Sequence, residues 1–76
     1  MDWHERIHSD PKILSGKPIV KGTRLSVELL LGLLAEGWTE EQLFESYPHL
    51  TPEDLRAVFA FAAEMMTDYR FFKLPA

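Results

Sequence analysis

The 76-residue sequence contains no cysteine. Without thiols there is no disulfide framework or thiolate metal site to staple a small fold, and a reducing cytoplasm is the expected location. Long hydrophobic runs are absent as well. The richest apolar stretch, Leu29 to Leu34, falls far short of the roughly 20 residues that a membrane-spanning helix needs. The opening residues Met1-Asp2-Trp3-His4-Glu5 are acidic and lack an apolar segment, so no secretory signal is expected. Positive charge is scarce after the first third. Residues 1–24 carry five Lys or Arg against three acids, and residues 25–76 carry three against nine, which accounts for the formal net charge of −4. Taken whole, that charge argues against a generic nucleic-acid binder. Its distribution predicts a basic front mounted on an acidic body.

What is present, 46% hydrophobic and 26% charged residues, is the composition of an ordinary globular protein. A chain of this length forms one domain and buries roughly 60% of its unfolded surface, which leaves apolar surface over and predicts self-association as a homodimer.

Capping signals divide residues 26–69 into three helices. Ser26 is an N-cap for Val27 to Glu36, closed by Gly37, where glycine takes the left-handed conformation cheaply. This helix is apolar on nearly every side and is expected to be buried on nearly every side. Thr39 opens a second helix, with Gln42 completing a capping box and Trp38 and Leu43 placed as a hydrophobic staple; it ends near Tyr47-Pro48. Thr51 caps a third helix with Pro52 at its first position, running to about Asp68. Leu55, Val58, Phe59, Ala62, Met65, Met66 and Tyr69 keep helical spacing and are expected to form its apolar face. Within the N-terminal segment, 1–25, Lys17-Pro18-Ile19-Val20 and Thr23-Arg24-Leu25 read as two short strands joined at Lys21-Gly22. Two strands alone are marginal in water, so residues near Ile7 or a second copy of the chain are expected to supply a third. A short aromatic tail, 70–76, follows the helices. The expected fold class is mainly α, a three-helix bundle preceded by a short N-terminal β-hairpin.

An ordered set of residues runs through these elements: Gly16-Lys17-Pro18-Ile19-Val20-Lys21-Gly22-Thr23-Arg24, then Gly37, then Tyr47-Pro48-His49-Leu50-Thr51-Pro52-Glu53-Asp54. The set resembles the bacterial domain-of-unknown-function family 433, over about Ile7 to Glu64. The resemblance implies a homeodomain-like trihelical protein related to VapB-type antitoxins, often encoded beside a PIN-like nuclease toxin. It therefore implies a small antitoxin-like regulator with a PIN-like nuclease toxin as protein partner and operator DNA as a second partner. The alternative, a homodimeric interaction module with no nucleic-acid role, stays open.

The candidate residues follow from charge and apolarity. Lys12, Lys17, Lys21 and Arg24 could neutralise backbone phosphates, and a symmetric dimer would double their number. Arg24 alternatively pairs with Glu28 or Glu53, since its planar fork suits a carboxylate as well as a phosphate. Reading of the major groove by the third helix is disfavoured, because that helix starts Thr51-Pro52-Glu53-Asp54 and carries only Arg56 in its first turns. Tyr69, Phe71, Phe72 and Leu74 are too apolar to be left in water and are expected either to pack on the bundle or dimer or to form a partner-binding segment.

Catalysis, cofactors and metals find no support. His4 and His8 on an extended segment stand about 13 Å apart, without a third ligand at convincing spacing. Gly16-Lys17 lacks the glycine and the hydroxyl residue of a phosphate-binding loop, since Pro11 and Pro18 occupy those positions. Glu40, Glu41 and Glu45 sit on a short surface helix as dipole and solubility residues. No nucleophile sits beside a base, so no enzymatic activity, cofactor, small-molecule substrate or membrane association is expected.

Overall fold

Local hydrogen bonds to three hydroxyl side chains start the three helices of this computed structural model, which describes residues 1–67. The Ser26 hydroxyl accepts from the Leu29 amide at 2.9 Å and opens α1, Val27–Ala35. Thr39 and Gln42 form the reciprocal capping box of α2, Glu40–Ser46. Thr51 and Asp54 form a second box at the start of α3, Pro52–Met66, with Pro52 in its first turn. Each box satisfies two amides that the helix itself leaves without partners.

Helix α1 ends as its glycine predicts. Gly37 adopts φ +102°, its amide donates to the Leu34 carbonyl at 3.0 Å, and the Trp38 amide donates to the Leu33 carbonyl at 3.1 Å. These paired bonds are a Schellman motif, and they turn the chain directly into the cap of α2.

The sheet is smaller than the expected hairpin and is paired differently. Strand β1, Ile7–His8, lies antiparallel to β2, Ile19–Val20, with Ile7 opposite Val20 and His8 opposite Ile19. The segment after the turn adds a single bridge, Ile19 to Ser26, flanked by bonds from the Val20 amide to the Leu25 carbonyl and from the Val27 amide to the Pro18 carbonyl, each 3.0 Å. The region near Ile7 thus supplies the main pairing partner, and Thr23-Arg24-Leu25 is a turn that leads into α1.

The core draws on all of these elements. Ile7, Val20, Val27, Leu30, Leu43, Leu50, Leu55, Ala57 and Val58 form one buried cluster. Trp3, in a 3-10 turn at Trp3–Glu5, closes it by meeting Phe61 of α3 edge-to-face at 4.8 Å. The apolar residues of these elements exceed what the core can cover. Only Val27 and Leu30 of α1 are fully buried, and Leu29 remains 40% exposed, because five leucines occupy more of a helix circumference than the neighbours of so short a chain can cover. Helix α3 buries Leu55, Ala57 and Val58 but leaves Phe59, Met65 and Met66 outside, so its expected single apolar face splits into an inner and an outer stripe.

Candidate functional site

Backbone geometry and one hydroxyl shape the turn between β2 and α1. Gly22 sits at φ +79°, a conformation that costs glycine little and other residues more. Thr23 then ties both sides of the turn. Its hydroxyl donates to the Val20 carbonyl at 2.8 Å and accepts from the Leu25 amide at 3.0 Å, while its own amide donates to the same Val20 carbonyl at 3.1 Å. On either side of this pinned pair, Lys21 and Arg24 are exposed.

The four basic residues predicted to act together are placed unequally. Lys21 and Arg24 share the turn, and among the described residues neither has an ion-pair partner within 4.0 Å. Lys17 is engaged: its ammonium donates to Glu28 Oε1 at 2.6 Å. That contact holds the Glu28 carboxyl below its ordinary value. Both side chains are exposed, so the pair is loose by the standard of buried bridges. Lys12 lies in the β1–β2 connection, where its amide donates to Asp10 Oδ1 at 2.9 Å. Glu28, one of the carboxylates expected for Arg24, is thus taken by Lys17.

Arg6 and Asp54 form a part-buried polar contact that sequence reasoning missed. Arg6 donates to Asp54 Oδ1 at 3.0 Å, and Asp54 Oδ2 accepts from the Thr51 amide at 3.0 Å. One carboxylate therefore caps α3 and anchors the N-terminal arm. The spacing Thr51-x-x-Asp54 carried the capping half of that signal; the Arg6 half, 48 residues away, carried none. The start of α3 thus carries the engaged Asp54 carboxylate and an exposed Glu53, with an exposed Arg56 one turn on.

The two halves of the sequence motif meet beside the basic turn. A cleft of about 340 Å³ is lined by Gly22, Thr23, Arg24 and Leu25 from the turn, and by Ser46, Tyr47, Pro48 and His49 from the α2–α3 connection. These segments are more than 20 residues apart in sequence, so their juxtaposition is a product of the fold. The lining places a cation, an imidazole, hydroxyls and apolar carbon around one opening.

The chain has relatives. Residues 7–62 match the family described as "Protein of unknown function (DUF433)". The chain belongs to the DUF433 family. A crystal structure of a family member from Anabaena variabilis is 29% identical and superimposes with a TM-score of 0.75, covering 78% of this chain and 58% of that one. The uncharacterized protein y4eO of Sinorhizobium fredii is 36% identical over 58 residues, which is 76% of this chain and 26% of the relative. The chain thus spans about a quarter of that relative's length, and a little over half of the crystallised family member.

Three further expectations bear on the site. Among the described residues, no three His, Asp or Glu side chains gather to hold a metal ion, and no helix is long and apolar enough to cross a membrane. Tyr69, Phe71, Phe72 and Leu74 lie outside the described residues. His4 is committed locally, stacking on Trp3 at 3.7 Å with its Nδ1 at 2.8 Å from Asp2 Oδ1.

Proposed function

We propose that this DUF433 chain is a small antitoxin-like regulatory binding protein that contacts an anionic partner, operator DNA, through the Lys21–Arg24 turn. The observation that carries this reading is the pinned turn itself. Two cations free of ion pairs among the described residues are presented on a backbone held by Thr23 through three hydrogen bonds. A turn whose backbone is already fixed has only side-chain freedom left to lose on meeting phosphate, which favours binding over cations carried on a flexible loop. The kinship with VapB-type antitoxins that the family resemblance implies is the ground for proposing a PIN-like nuclease as protein partner, with Tyr69, Phe71, Phe72 and Leu74 as its contact.

Salt dependence tests the DNA half directly. Two cations per copy, in a dimer, neutralise four phosphates, so the slope of log K against log salt for a mixed-sequence duplex is expected at about −3.6. No binding at about 50 mM salt overturns it. The second reading, a homodimeric interaction module without a nucleic-acid role, is favoured by the Lys17–Glu28 pair and the net charge of −4. It predicts no duplex binding at any salt concentration.

A further inference from the structure

We propose that the outer stripe of α3 is a homodimer seam, on which a second copy of this chain packs its own α3 antiparallel. Pro52, Arg56, Phe59, Ala63 and Met66 are all exposed, and they recur at intervals of four, three, four and three residues. That alternation is the spacing of a two-helix seam, and from Arg56 to Met66 it runs about 15 Å at 1.5 Å per residue. Phe59 and Met66 keep 42% and 47% of their surface open, a large apolar exposure for one helix of a small protein.

Three features point to a copy of the same chain as the occupant. With a two-fold axis between Phe59 and Ala63, each Phe59 packs over the partner's Ala63, so the large and the small side chain complement one another without rearrangement. The same register lays the partner's Met66 over Arg56, where a hollow of about 250 Å³ is lined by Glu40, Pro52, Leu55, Arg56 and Phe59. A flexible thioether fills such a hollow well. Charge agrees with this arrangement. Among the described residues helix α3 has acids in its first turn and no base in its last, so Arg56 brings a cation to the C-terminal end of the partner's helix. Glu53 falls beside the partner's Thr67, Glu64 points away from the seam, and no carboxylates of the two helices meet. At the axis Ala60 faces the partner's Ala60, small enough for close approach.

A seam of this length is at the low end of interface sizes, so association is expected in the micromolar range. It is independent of whether DNA is bound. Sedimentation equilibrium of the whole chain from about 1 to 500 μM should show a monomer–dimer equilibrium. Phe59→Glu and Ala63→Glu should each weaken it at least tenfold, with the helical circular dichroism unchanged because both sites are exposed; Met65→Glu, off the seam, should leave it intact. Since the chain has no cysteine, Ala60→Cys should oxidise to a disulfide-linked dimer much faster than Met65→Cys. A wild-type chain monomeric throughout that range, or a dimer indifferent to Phe59→Glu and Ala63→Glu, overturns the proposal. Equal cross-linking at positions 60 and 65 overturns its register.

Discussion

The basic turn at Lys21–Leu25 and helix α3 are held in opposite ways. The turn buries little apolar surface and owes its shape to Gly22 and to the Thr23 hydroxyl, which bridges Val20 and Leu25. Helix α3 is held by Leu55, Ala57 and Val58 in the core and by the Thr51–Asp54 box. An exposed turn can thus be ordered by a few directional bonds, while apolar burial is concentrated in the body. The Arg6–Asp54 contact joins the two regions, since the arm that bears Arg6 also supplies β1.

Substitutions should separate the two regions in a definite order. Leu30→Ala, at a site with no exposure, should lower the stability of the whole domain by about 3 kcal/mol in urea unfolding, and front and body should unfold together. Asp54→Ala removes both the α3 box and the anchor of the arm; a loss of about 2 kcal/mol is expected, with amide exchange rising in Trp3–His8 as well as at the start of α3. Thr23→Val should lose about 1 kcal/mol, with faster exchange confined to Lys21–Leu25 while α3 stays protected. Faster exchange throughout α3 would show that the turn and body are not separable.

The smallest stability effect should have the clearest functional readout. Glu28→Gln leaves the urea midpoint unchanged, as an exposed pair predicts, but frees Lys17 to meet phosphate. In a dimer this adds two contacts, and the salt slope should steepen by about 1.8. Acid should act in the same direction. The Lys17 contact depresses the Glu28 carboxyl below its ordinary value of 4.5, so the pair persists above that value and is lost as the pH falls through the depressed one. Wild-type binding should therefore gain the Lys17 contribution as the pH falls through that depressed value, and Glu28→Gln should remove this part of the acid-induced gain while leaving the part due to the other carboxylates.

Caps and stops were legible in the sequence because they act over three or four residues. Ser26, Gly37, Thr39-Gln42 and Thr51 each mark a boundary through bonds to adjacent backbone. Pairings across the chain were not legible in that way. Thr23-Arg24-Leu25 reads as a strand by composition, yet β2 takes Ile7–His8 as its main partner, because register depends on which face must be buried and not on local preference. Phe59 and Met66 fit the helical period of the core face, and only the coordinates separate the inner from the outer stripe. The candidate site was legible in part: Lys21 and Arg24 were found from charge, whereas Tyr47, Pro48 and His49 join Arg24 only through the packing of α2 and α3. Lys17 reads as a free cation in the sequence because Glu28, 11 residues on, lies beyond any local rule.

The separability of a binding front from a folded body is tested most directly by the double variant Lys21→Glu, Arg24→Glu, measured for duplex binding and urea unfolding in the same buffer. The expected result is a urea midpoint matching the wild type with duplex binding lost. Unaltered duplex binding, or a domain that unfolds along with the loss, would contradict the account.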